Sequence, residues 1–163
     1  MRLYLPATLD ELDSLDGGTM TVEPRRAHAA TPGLVAALAD EDVDDIEEVE
    51  FAAQLAAADD SVVLIAGKPS VAWLRVVLSV DVPDTVVVPA APTTDEDPED
   101  VPLSAVDVTE RLTGVAVVCA HVDEPEAAAD VQAVLGGDED AMERLVDRDL
   151  LWYDASELGD VPR

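Results

Sequence analysis

DVDDIEEVEFAAQLAAADDSVVLIAGKPSVAWLRVVLSVDV, residues 42–82, contains the two segments whose reading decides the fold. From Asp42, apolar residues recur at Val43, Ile46, Val49, Ala53 and Ala56, with a second stripe at Phe51, Leu55, Ala58 and Val62. That is helical spacing. Acids crowd the first turns at Asp44, Asp45, Glu47 and Glu48, where the helix dipole favours negative charge. Later turns are apolar almost all round, which predicts a central core helix stopped by Gly67, Pro69 and Ser70. Val71 to Val82 then reads as the strongest strand, β-branched and closed by the turn Asp81-Val82-Pro83-Asp84. Together they predict an α+β fold: a mixed sheet packed by one long central helix and by shorter C-terminal helices.

On the N-terminal side, Leu3 and Leu5 alternate with Arg2 and Tyr4 before Pro6, a short strand. Thr8-Leu9-Asp10-Glu11 has capping-box spacing and opens a short helix ending at Gly17-Gly18. Val22 to Ala30 reads as a weak strand, and Thr31-Pro32 as a helix start. On the C-terminal side, Thr85 to Pro89 is expected to return as the hairpin partner of the strong strand. Residues 92–102 are acidic and form a solvated loop within one domain spanning 1–163. Leu103 to Thr109 and Gly114 to Val122 read as strands, the second apolar on both faces and so central in the sheet. Asp123-Glu124-Pro125 caps a helix running to Gly136-Gly137. Asp138 caps a last helix, and Leu150-Leu151-Trp152-Tyr153 closes as a strand or packed tail.

Composition bounds the function. A chain of 163 residues, 48% hydrophobic but only 3% aromatic, must fill its core with Ala, Val and Leu. The N-terminus has no secretory pattern, and no run of about 18 apolar residues occurs. One cysteine, Cys119, excludes an internal disulfide and suits a reducing compartment. These readings predict a soluble, cytoplasmic protein. The net charge of −28 would repel a phosphate backbone and an anionic membrane, which argues against both as direct partners. It leaves a protein partner with a basic surface, with solubility as the simplest role of the charge.

Familiar motifs fail on inspection. Ala66-Gly67-Lys68-Pro69-Ser70 resembles the end of a phosphate-binding loop, but Val62 replaces the first glycine and Pro69 the magnesium-binding hydroxyl. Asp40, Asp42 and Asp44 have calcium-loop spacing, yet Asp45 stands at the turn glycine and Phe51 at the bidentate Glu. The one arrangement with chemical content is Cys119-Ala120-His121-Val122-Asp123. A strand turns Cys119, His121 and Asp123 to one face, as weak metal-ligand candidates or a histidine beside a carboxylate. Asp123 is equally a helix cap and Cys119 a small core residue. Arg75, Ser79 and Asp81 share a face of the strong strand, so Arg75 and Asp81 join His121 and Asp123 as catalytic candidates. His28 lies beside Arg25 and Arg26, a cluster that either holds an anion or neutralises nearby acids. Trp152-Tyr153 either caps the core or anchors a partner.

The order of Met1-Arg2-Leu3-Tyr4-Leu5-Pro6-Ala7-Thr8, Thr31-Pro32, Glu50-Phe51-Ala52-Ala53, Arg75-Val76-Val77, Asp81-Val82-Pro83, Ala120-His121-Val122-Asp123 and Leu150-Leu151-Trp152-Tyr153 resembles an uncharacterised actinobacterial family of small acidic proteins, a domain of unknown function. The resemblance spans almost the whole chain and implies no activity, cofactor or catalytic residue. The leading expectation is a non-enzymatic binding or regulatory protein engaging a protein partner, one version being mimicry of nucleic-acid charge. The alternative is a small hydrolase or metal-dependent enzyme centred on His121. No cofactor is expected, and the oligomeric state is left open.

Overall fold

A computed structural model describes residues 1–68, 70–94 and 97–162. Its elements run β1 (Arg2–Ala7), α1 (Leu9–Asp13), β2 (Thr19–Val22), β3 (Arg25–His28), α2 (Pro32–Ala39), α3 (Ile46–Gly67), β4 (Val76–Asp81), β5 (Val87–Pro89), β6 (Ala105–Val108), β7 (Leu112–Val122), α4 (Ala128–Leu135), α5 (Glu139–Val146) and β8 (Leu151–Asp154). Pro69, assigned above to the helix stop, and Asp95 and Glu96, assigned to the acidic loop, lie outside the described residues.

The chain folds as α+β. Among the described residues the strands order as β2-β7-β4-β1-β3-β6-β5, with β8 also paired to β7. Every pairing is antiparallel, so the sheet is not mixed. The reason lies in β1. The helical connection from β3 to β4 joins strands that point the same way, but β1 lies between them and runs antiparallel to both. The expected centrality of the Gly114 to Val122 segment holds, since β7 pairs with β4 and β8 on its two sides over Cys119 to Val122 and with β2 nearer its start.

Three local expectations change. The Val22 to Ala30 segment holds a strand only over β3, because Pro24 cannot donate to a ladder; β2 ends at Val22, the first residue of the segment, and goes to β7 while β3 goes to β1 and β6. Thr85 to Pro89 does not return against β4. After Pro83 the chain makes a 3₁₀ turn over Asp84–Val86, and β5 pairs with β6 at the far end of the sheet. The long helix begins at Ile46, because Asp42 has φ 66, left-handed backbone that a right-handed helix excludes. Asp45 is the cap, accepting the Glu47 amide at 2.9 Å. The capping box at Thr8 and the Thr31 cap form as read, Thr31 Oγ1 accepting the Leu34 amide at 3.1 Å.

Strand alternation separates two apolar layers. Leu3, Leu5, Val76, Leu78, Val80, Ala120 and Val122 join Leu9, Val131 and Leu145 in the larger cluster. Tyr4 and Val77 face Ala53, Ala57 and Ala58 of α3 in the smaller one. α3 therefore lies on the sheet, with Val62 and Ile65 near its C-terminus reaching the larger cluster, and Ile46, Phe51, Leu55 and Val63 of its apolar residues are left exposed. Its buried face is rich in alanine, which lets helix and strands approach closely. Ser61, fully buried, bridges that contact: its Oγ donates to the Ala7 carbonyl at 2.7 Å and accepts the Val76 amide at 3.0 Å. Ser61→Ala leaves both backbone groups without this partner and is expected to cost about 1–3 kcal/mol. Urea unfolding checks this, and a midpoint equal to wild type would refute the bridge.

Candidate functional site

β7 places Cys119 and His121 on the side of the sheet that α3 covers. Across the register His121 stands between Val77 of β4 and Trp152 of β8, and Cys119 between Ser79 and Asp154. His121 forms the floor of a groove of about 490 Å³, with Trp152 beside it on the rim. Phe51, Gln54 and Leu55 of α3 make one wall, and Val146, Arg148 and Asp149 make the other. Phe51 is 52% exposed, Trp152 58% and Val146 60%.

The floor is polar and incompletely paired. His121 Nδ1 and the neighbouring Ser79 Oγ are buried with no hydrogen-bond partner among the described residues. Burial also lowers the His121 pKa below its ordinary value, so the ring is held neutral. The Arg148 wall is fixed from behind. Arg144 and Arg148 both donate to Asp130, each at 2.9 Å, and these bonds hold the Asp130 carboxyl below the usual carboxylate range.

Arg75 and Asp123 are together, but as a buried structural pair. Arg75 Nη2 lies 2.8 Å from Asp123 Oδ1, its Nε contacts both oxygens, and its own amide donates to Oδ2 at 2.8 Å. Arg75 Nη2 also donates to the Arg148 carbonyl at 3.2 Å, which ties the groove wall to the ends of β4 and β7. Asp123 is thus not a helix cap; Glu124 stands at the start of the 3₁₀ turn before α4 and makes no side-chain cap.

Asp81 is exposed and paired with Arg2 at 2.8 Å. It lies four residues along β4 from the partner of His121, about 13 Å at a strand's rise, so the two do not form one site. Nor are Cys119, His121 and Asp123 gathered as ligands: among the described residues no group of three His, Cys, Asp or Glu is placed to hold a metal ion. The Asp123 oxygens are turned to Arg75.

The other histidine has an arrangement that the sequence did not reveal. His28 is fully buried, with Nδ1 2.8 Å from Ser104 Oγ and Nε2 3.0 Å from Asp60 Oδ2. The order of residues matches a hydrolytic triad, but Ser104 is only 3% exposed, and a nucleophile must meet its substrate. The trio instead clamps α3 to β3 and the start of β6. Its basic neighbours are taken by acids, Arg25 by Glu11 at 2.7 Å and Arg26 by Asp107 at 3.8 Å. That agrees with the neutralising reading of the cluster.

The fold and the groove define an acidic α+β protein with an aromatic-rimmed surface cleft; Ser104 and His28 of the triad-like arrangement are buried, and among the described residues no group of three His, Cys, Asp or Glu is placed to hold a metal ion. The chain belongs to the family described as Family of unknown function (DUF6912), whose model matches residues 1–161. No curated protein and no solved structure matches it significantly.

Two measurements test this geometry. Asp123→Ala strands a buried guanidinium and is expected to cost about 3–5 kcal/mol, whereas Arg75→Met with Asp123→Leu restores most of it. Unfolding by guanidinium reads the difference; an additive double variant would contradict the pairing. For His121, the unfolded chain binds a proton near pH 6.5 and the folded chain only at lower pH. Stability due to this residue therefore falls as pH drops through that range. His121→Gln is expected to flatten the dependence between about pH 7.5 and about pH 5.5; an unchanged slope would show that the ring titrates freely.

Proposed function

We propose that this protein is a non-enzymatic binding or regulatory module that engages a protein partner with a basic surface through the groove between α3 and β8. One observation carries the reading. The chain has a single Phe and two Trp, and it leaves the Phe and one Trp more than half exposed on the rims of the same groove. Contiguous exposed apolar surface marks interaction sites, and aromatic anchors in a central pocket contribute most of an interface's binding energy.

The charge supplies the second half. At −28 the protein steers cationic partners toward itself and repels anionic ones. Around the groove, Glu47 and Glu48 precede Phe51 on α3, Asp149 lies in the wall, and Asp154 follows Trp152. A single lysine among nine basic residues and a buried lone Cys119 fit the actinobacterial and cytoplasmic setting expected from the sequence. The hydrolase alternative has less support, because among the described residues His121 Nδ1 is buried without a hydrogen-bond partner, so no carboxylate orients the ring through that nitrogen.

Panning short random-sequence peptides against the immobilised protein tests this reading. Enriched peptides are expected to combine Lys or Arg with a bulky apolar residue and to weaken as salt rises. Trp152→Ala and Phe51→Ala are each expected to lower affinity about tenfold or more. Their unfolding midpoints should stay close to wild type, since both side chains are exposed. Enriched peptides that bind Trp152→Ala as well as wild type would refute the site.

A further inference from the structure

We infer that the partner segment binds as an added β-strand on the open edge of β8, alternating apolar and basic side chains; this rests on the groove reading above. β8 pairs with β7 on one side, and no other described strand pairs with it. Which of its backbone groups face outward follows from two independent contacts. The Asp154 amide donates to Glu157 Oε2 at 3.1 Å and its carbonyl accepts the Glu157 amide at 2.8 Å, so the Asp154 backbone points away from β7. From the other side, the Asp123 amide donates to the Arg75 carbonyl. By alternation, His121 and Cys119 direct their backbone to β4, leaving Ala120 and Val122 to bond Tyr153 and Leu151. Both routes turn the Trp152 amide and carbonyl to the open edge.

The edge is closed at one end and open at the other. Glu157 occupies the Asp154 groups, so an incoming strand stops there and extends back past Trp152 toward Leu150. Both faces of this short edge adjoin a depression. On the Trp152 face lies the groove floored by His121. On the Leu151 face lies a second hollow of about 270 Å³, lined by Glu124, Asp149, Arg148 and Leu151. Successive side chains of an added strand point to opposite faces. Residues beside Trp152 therefore meet the apolar rim of Phe51, Leu55 and Val146, and residues between them meet the Glu124 carboxylate; Asp149 borders both hollows, as does Arg148, whose guanidinium is engaged by Asp130. An apolar-basic alternation is the complement of these two surfaces. A second copy of the chain is a poor occupant, because pairing two chains of −28 brings like charges together.

The test uses the intact protein and peptides enriched on it by panning. The backbone nitrogens of one such peptide are methylated one at a time, and affinity is measured by titration calorimetry. Strand addition predicts loss of about tenfold or more at alternate positions and little change between them. It also predicts slowed hydrogen exchange of the Trp152 amide in the bound protein, read by NMR. Uniform tolerance of methylation, or apolar residues recurring every three to four positions, overturns strand addition while leaving the groove as a binding site. Failure to enrich any peptide sensitive to Trp152→Ala overturns both.

Discussion

The buried pair of Arg75 and Asp123 sets the geometry on which the groove depends. It joins the start of β4 to the end of β7, and through the Arg148 carbonyl it fixes where the chain turns from α5 into β8. Two charges taken out of water repay their desolvation only when the remaining hydrogen-bonding capacity is used. Here both carboxylate oxygens are engaged, one of them also by a backbone amide. The consequence is positional rather than chemical. Arg75 and Asp123, which look like catalytic candidates in the sequence, hold a wall in place, and His121 lines the groove beside exposed Phe51 and Trp152.

Much of the architecture was legible because local chemistry and tertiary context agree. The Thr8 capping box, the Thr31 cap, the Asp138 cap and the double-sided apolar run of β7 each rest on a rule that acts within a few residues. What was not legible depended on long-range pairing. Nothing near Thr85 to Pro89 says that β5 will choose β6 over β4, and nothing local says that Thr19 to Val22 forms a strand that goes to β7 rather than continuing into β3. The apolar stripe through Phe51 and Leu55 misled for a related reason. Periodicity marks an apolar face but not what covers it, and here part of that face is left open.

The site was half legible. His121 was singled out for its strand neighbours Cys119 and Asp123, yet its meaningful neighbours, Trp152 across the register and Gln54 from α3, come from distant parts of the chain. The clamp of His28, Ser104 and Asp60 was invisible for the same reason, its members being 76 and 32 residues apart. Trp152-Tyr153 was read as either a core cap or a partner anchor, and the two side chains divide, Tyr153 packing against the larger cluster and Trp152 lying exposed.

β1 must wait for β4, far along the chain, before its ladder is complete. Its ladder with β4 joins residues such as Arg2 and Asp81, 79 positions apart, and its other partner reaches it only through His28. During synthesis from the N-terminus, Leu3 and Leu5 therefore emerge as an apolar strand with no central partner until β4 has left the ribosome. Even then, β7 must follow to cover the opposite edge of β4. Long-range closure of this kind slows folding and lengthens exposure of sticky edges. A net charge of −28 belongs to the unfolded chain as much as to the folded one, and like charge repels copies of a chain before any fold exists.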